Sequence, residues 1–343
     1  MSGTDRPTVA ELGEFALIER LVASLPSEVI AGPRLLHGAG DDAAVWKPAP
    51  GKVSVITTDT LVDGVHFRLD WTDWASLGHK MLAVNLSDIA AMGADPFLAT
   101  VTLGLTSSER VVDLEALYAG MVGLATRHRL LIAGGDIVRS PKALTLAVAV
   151  VGEAEPDRLL LRSGATDGNL IGVSGTLGAS AAGLALLSGP GERRRAATAG
   201  LLLGAHLRPM PRIELGGLLV RSGATSAMDL SDGLLGDLPK ILAASGVSAE
   251  ILEHRVPILP AIRALFPDRF REFALRGGED YELLFTIPPE RWEPLTLAAK
   301  EIGSTVTAIG RVIPVDSEAP TLWLVAPDGS KSVATAGAFD HFG

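Results

Sequence analysis

The feature that most constrains this chain is a recurring pattern in which an apolar run breaks off at an acidic turn. It is clearest at residues 53–58, Val-Ser-Val-Ile-Thr-Thr, which lead straight into Asp59. Acidic residues stand at similar ends at Asp42, Asp88, Asp136, Asp229 with Asp232, and Glu279 with Asp280. β-Branched runs closed by glycine-rich turns, alternating with stretches of helical periodicity, predict an α/β chain. In such folds strand ends converge on one crevice. Carboxylates gathered there repel unless hard cations neutralise them, and oxygen-only ligation points to magnesium rather than zinc.

The 343 residues are enough for two domains, each with its own core. A polar, proline-bearing break at 153–157, Glu-Ala-Glu-Pro-Asp, divides the chain into 1–154 and 155–343. The net charge of −10 argues against a nucleic-acid partner, which calls for a basic face. With no cysteine, thiol catalysis, thiolate metal sites and disulfides are excluded. A long uncharged, mostly apolar run, 143–152, is about half of the ~20 residues that span a bilayer, and residues 1–14 lack a signal-like apolar core. No membrane association and a cytoplasmic location are expected.

Along the chain, 38–45 is a glycine-rich turn carrying Asp41 and Asp42. Its GxGxxA string is no dinucleotide fingerprint, because Pro48 and Pro50 forbid the helix that must follow. Residues 73–92 form a predicted helix with Leu77, Met81, Val84 and Asp88 on one face. Asp88 is therefore on the buried stripe and near a helix C-terminus, two unfavourable places for a carboxylate, with Asn85 about one turn before it. A short strand at 130–133 is expected to end in the turn Gly134-Gly135-Asp136, whose backbone N–H groups could meet a phosphate. Asp229 ends a strand over 225–230; Ser231 is a natural N-cap, with Asp232 in the first turn of the next helix. Arg208 and Arg212 read as a solvated cap or as site residues. Several magnesium ions in a glycine-lined crevice fit phosphoryl transfer from a nucleotide, and the chain has no P-loop or protein-kinase motif set.

The strings GEFALIERL (13–21), GAGDDAAV (38–45), TTDTLVDGVHF (57–67), LAVNLSDIAAMGADP (82–96), GGDIVRS (134–140), LRSGA (161–165), HLRPMPRI (206–213), MDLSDGL (228–234), GGEDYELLFTI (277–287) and FDHF (339–342) occur in this order. Together they resemble the bacterial thiamine-monophosphate kinases, a family of the aminoimidazole ribonucleotide synthetase superfamily. The resemblance implies a two-domain α/β (α+β) fold. Its N-terminal sheet is a half-barrel that pairs into a β-barrel across a homodimer, and a C-terminal α/β sandwich domain completes the site. It further implies ATP and thiamine monophosphate as substrates, ADP and thiamine diphosphate as products, and no phosphoenzyme. Carried over by motif, the magnesium ligands are Asp42, Thr57, Thr58, Asp59, Asp88, Asp136, Asp229 and Asp232, with Asp59, Asp88 and Asp136 acting in catalysis through the metal. Gly135, Asp136, Arg162 and Ser231 would contact ATP, and His66, Glu279 and Phe339 the substrate.

Two departures stand out. Where relatives carry aromatics that stack on adenine, this chain has Arg127 and His128, and Phe339 stands in place of a tyrosine or tryptophan. Two other readings compete: an amidine-forming ATP-dependent synthetase of the same superfamily, and a non-catalytic nucleotide-binding module. The full acidic set argues against the second.

Overall fold

Strand β3 (Val53–Val62) sets the frame of the first half. The computed structural model describes residues 7–40, 42–316 and 319–334. Residues 53–62 form one unbroken strand, so Asp59 lies inside it rather than in the turn after it. With β-branched residues at Val53, Val55, Ile56, Thr57, Thr58 and Thr60, the run fits a pleated surface throughout, and the carboxylate does not end it. Before it, β1 (Leu35–His37) and β2 (Val45–Trp46) form a small antiparallel pair, with Asp42 exposed in the loop between them.

β4 (Asp95–Leu105), β5 (Leu131–Arg139) and β6 (Thr145–Ala154) complete a four-stranded sheet in the order β3-β6-β4-β5. β6 is antiparallel to both β3 and β4, and β4 and β5 run parallel. β3 and β5 are the two edges, so this sheet is open. One face is covered by the helices Trp74–Ala91 and Val111–His128, whose Leu77, Met81, Ile89, Leu114, Leu117 and Met121 are buried. The other face is uncovered: Ile56, Thr58, Thr60 and Thr102 are exposed along it, beside half-buried Ala147 and Ala149. The small pair β1–β2 is tied on by Trp46, which packs on Phe97, Leu98 and Val151, and by Arg34, which binds Glu153 at 2.7 Å.

Gly134-Gly135-Asp136, expected as a turn, is the middle of β5. Gly135 pairs with Val101 of β4, and a Cβ added there would lie 1.8 Å from the Val101 carbonyl oxygen. Glycine lets two backbones approach at a register shift in β4, and that accounts for it without a phosphate.

The second half is built on a seven-stranded sheet. β7 (Leu170–Ser174), β8 (Ser226–Asp229), β9 (Ser248–Leu252), β10 (Leu283–Ile287), β11 (Val306–Ile313), β12 (Leu322–Val325) and β13 (Lys331–Val333) lie in the order β13-β12-β9-β11-β7-β10-β8. All neighbours are antiparallel except β9 and β12. The helix Leu234–Ser245 buries Leu234, Leu235, Leu238 and Ile241 in a core with Ile171, Val173, Met228 and Leu284 of the sheet. Phe285 stacks on Trp292 of the helix Pro289–Glu301, with ring centroids 6.1 Å apart. Two compact units result. One runs to Ile89 and resumes from Asp95 to Pro156; the other takes Ala90–Ala94 and continues from Asp157.

Candidate active site

Side chains alternate along a strand. Thr57 and Asp59 thus share the covered face of β3, while Ile56, Thr58 and Thr60 share the open one. Thr57 Oγ1 donates to Asp88 Oδ2 at 2.5 Å. The Asp59 N–H donates to Asn85 Oδ1 at 3.0 Å, and Asn85 Nδ2 donates to the Met81 carbonyl at 3.1 Å. Asn85 is fully buried, so its amide both satisfies the strand edge and fixes its own helix. Asp59 and Asp88 share a hydrogen bond. Burial, the charge of Asp88 and that hydrogen bond push Asp59 up to about 6. The carboxylate read from the buried helical stripe is only partly buried, and it stands beside a second carboxylate whose ionisation its charge disfavours.

The donors assembled here are two carboxylates and a hydroxyl, with an amide oxygen behind them. This all-oxygen set suits a hard cation, and its mutual repulsion favours one. Asp136 is placed elsewhere. It pairs in register with Thr102, which pairs with Ala147, which pairs with Thr60, a row on the open face. The row through Asp59 is Val148, Val101 and Gly135. Thr58 also belongs to the open face, where its hydroxyl donates to the Val148 carbonyl at 3.1 Å. Among the described residues no group of three or more Asp, Glu, His or Cys side chains is gathered to hold a metal.

Beyond β3 the chain turns back through Gly64, and the Val62 N–H donates to His66 Nδ1 at 3.1 Å. A ring that accepts at Nδ1 carries its proton on Nε2 when neutral. Arg127 and His128 end the helix Val111–His128, where positive charge suits the macrodipole, and Arg129 closes it in the left-handed region at φ 54°.

In the second unit, MDLSDG and GGEDYE are laced together. The Glu279 N–H donates to the Ser231 carbonyl at 2.8 Å, the Tyr281 N–H to the Leu230 carbonyl at 2.9 Å, and the Leu230 N–H to the Glu282 carbonyl at 2.8 Å. Ser231 is not the N-cap: the helix begins at Leu234 with Gly233 before it at φ 89°, because the chain spends Leu230 and Ser231 on these cross-links. Asp232 therefore precedes the helix instead of joining its first turn. Its carboxylate accepts from Lys240 Nζ at 2.6 Å, and its N–H donates to Asp237 at 2.9 Å. Lys240 also donates to the fully buried Asp237 at 2.7 Å. Burial alone would lower Lys240, but its bonds to the two aspartates outweigh that and raise it. Asp229 is buried at the end of β8.

Glu279 and Tyr281 both adopt positive φ, at 63° and 51°, so β10 starts only at Leu283 and not at Tyr281. Non-glycine residues rarely hold that conformation, and such strain concentrates at functional segments. Every acid in the segment has a partner. Asp280 accepts from the Gly178 N–H at 2.6 Å and the Ser180 N–H at 3.1 Å, at the start of the helix Ala179–Ser188, while burial pushes it up to about 7. Glu282 takes a two-pronged bond from Arg212, at 2.8 and 2.5 Å, and a third from the Ser174 hydroxyl at 2.5 Å. Glu279 lies 3.3 Å from His206 Nδ1.

Arg212 is thus an internal clamp, not a solvated cap. Reasoning from sequence missed His206 and Lys240; the i, i+3 spacing of Asp237 and Lys240 on a helix was the available signal for the second. Arg162 is exposed and, among the described residues, makes no ion pair. Phe339 lies outside the described residues.

Two family models match the chain, the AIR synthase related protein N-terminal domain over residues 40–154 and its C-terminal domain over 166–322. The thiamine-monophosphate kinase of Salmonella typhimurium is 42% identical over 304 residues, covering 88% of this chain and 90% of the relative. Among solved structures, the thiamine-monophosphate kinase from Stenotrophomonas maltophilia aligns with a TM-score of 0.80 at 36% identity, covering 95% of this chain and 98% of that one. AaThiL complexed with AMPPCP and TMP aligns with a TM-score of 0.75 at 34% identity, covering 99% and 100%. At this identity and coverage the chain belongs to the thiamine-monophosphate kinase family of AIR synthase related proteins.

Proposed function

We propose that this protein is an enzyme that transfers the γ-phosphoryl group of ATP to the phosphate of thiamine monophosphate, giving ADP and thiamine diphosphate in thiamine diphosphate biosynthesis. The observation that carries the reading is the half-buried Asp59–Asp88 pair, in a chain aligning over 99% of its length with a relative solved with AMPPCP, an ATP analogue, and TMP. The acceptor is already a phosphate and largely ionised at neutral pH, so the reaction needs positioning and charge neutralisation more than a general base.

Magnesium fits the oxygen set of Asp59, Asp88 and Thr57; Thr58 and Asp136 lie on the opposite face of the sheet, outside that set, and the resemblance also implies Asp42, Asp229 and Asp232 as ligands. When bound there it supplies neutralisation of the charge on the phosphates. The protein's own residues do the rest. Arg162 presents a planar fork to phosphate oxygens, Ser231 meets the nucleotide, and Arg127 or His128 takes adenine. His66 donates its Nε2–H to the substrate phosphate, and Glu279 and Phe339 face the ring system. Lys240 holds the Asp232 carboxylate in place. The uncovered face of the first sheet, with Ile56 exposed at 73%, supports a homodimer in which two such sheets close a barrel. No helix among the described residues is long and apolar enough to cross a membrane, in keeping with a cytoplasmic enzyme.

Phosphorus NMR of purified protein with Mg-ATP and thiamine monophosphate tests the reading. Thiamine diphosphate should appear in step with ADP. Free phosphate without it would indicate the amidine-forming synthetase chemistry, and no turnover a nucleotide-binding module.

A further inference from the structure

We propose that His206 is a positioning residue for Glu279, holding that carboxylate as the counter-charge for the cationic ring of the substrate. The inference rests on the thiamine monophosphate reading above and names what sets its affinity.

Of the three acids in the segment 279–282, two are consumed internally. Asp280 accepts the N–H groups of Gly178 and Ser180, and Glu282 is clamped by Arg212 and Ser174. Glu279 differs: its side chain is 26% exposed, on a backbone held at positive φ by the bonds to Ser231 and Leu230. A strained backbone that is braced on both sides fixes where a side chain starts, and His206 fixes where it ends.

His206 is 4% exposed in the last turn of the helix Ala199–Leu207. Its Nδ1 lies 3.0 Å from Ser180 Oγ and 3.3 Å from Glu279 Oε2. An unprotonated Nδ1 would set its lone pair against a carboxylate oxygen, so this nitrogen carries the proton. The ring is brought there by close helix packing: a Cβ on Gly183 would lie 2.2 Å from the Leu202 carbonyl oxygen, and only glycine lets the two helices meet at that distance. A buried imidazole N–H held between the Ser180 hydroxyl and a carboxylate only 26% exposed limits that carboxylate's rotamers, so less freedom is lost when a ligand binds. The thiazolium of thiamine monophosphate is a permanent cation, the group such a fixed anion matches.

The experiment is steady-state kinetics on wild type, Glu279→Gln, His206→Leu, His206→Asn and the double variant His206→Leu with Glu279→Gln. KM is measured separately for thiamine monophosphate and for Mg-ATP. His206→Leu should raise KM for thiamine monophosphate by about tenfold and leave KM for Mg-ATP within about twofold. His206→Asn, whose amide N–H falls near the Nδ1 position, should restore most of the loss. The double variant should be no worse than Glu279→Gln alone. If His206→Leu does not fold, His206→Gln, whose amide falls toward Nε2, takes its place with the same expectation. An unchanged KM for thiamine monophosphate, or an equal rise in both KM values that Asn does not relieve, overturns the proposal. Wild-type turnover is read alongside: its absence overturns the function proposed above, whereas turnover with an indifferent His206 overturns only this inference.

Discussion

Thr57 and Asp88 stand 31 residues apart in sequence and are joined by a hydrogen bond of 2.5 Å. That bond docks the edge strand β3 onto the helix Trp74–Ala91 and orients the Asp88 carboxylate toward Asp59. Two acids that could have been solvated turns instead stand together as a half-buried pair. Desolvation and mutual repulsion disfavour charge on Asp59 in the metal-free protein.

Gly135→Ala distinguishes a strand-packing glycine from a phosphate cradle. The added Cβ has no room beside the Val101 carbonyl oxygen, so β4 and β5 must separate. The variant should lose about 3 kcal/mol or more of stability in urea unfolding. A normally stable variant with weakened ATP binding alone would return Gly135 to the cradle role.

The clamp on Glu282 should be among the strongest single contacts in the second unit. Arg212→Met leaves a carboxylate whose side chain is 8% exposed with only Ser174 to bind it, a loss of roughly 3–5 kcal/mol. Arg212→Lys keeps the charge but not the fork and should lose about 1–2 kcal/mol. Denaturant midpoints check both, and equal stability for Lys and Met would argue against the two-pronged geometry.

Stability without metal should fall as pH rises. Asp59 and Asp280 are held up to about 6 and about 7 from an ordinary 3.8. The folded protein keeps these protons while the unfolded chain has already released them. Each group therefore contributes stability that is fully present below pH 4 and is lost as pH climbs through the folded value, with a slope of up to ~1.4 kcal/mol per pH unit. Urea midpoints in EDTA between pH 5 and 7.5 measure it. In Asp280→Asn the decline between 6 and 7 should flatten; a stability that climbs over this range contradicts the assignment.

The acidic pattern and the α/β alternation were legible in the sequence because strands and helices have distinct periods and carboxylates mark their ends. The resemblance to a family was legible because its motifs are long. The strand boundaries were not. Asp59 and Asp136 read as turn residues because local propensity penalises Asp and Gly in strands, and β4 and β6 override that penalty through pairing. The Ser231 N-cap failed for a similar reason: its backbone is claimed by Glu279, 48 residues on in sequence, and no local rule sees that. His206 was invisible because its role depends on two helices meeting at Gly183.

The most direct measurement is Asp59→Asn, assayed for turnover of thiamine monophosphate and for unfolding without metal in one preparation. Removing one charge of this half-buried pair should raise metal-free stability at pH 8 by about 1–3 kcal/mol. Turnover with Mg-ATP should fall by roughly a thousandfold or more, as the proposed role of Asp59 as a magnesium ligand requires. A variant that turns over at a near-normal rate, or that is less stable than the wild type at pH 8, would contradict the Asp59–Asp88 pair as the metal-binding centre of the enzyme.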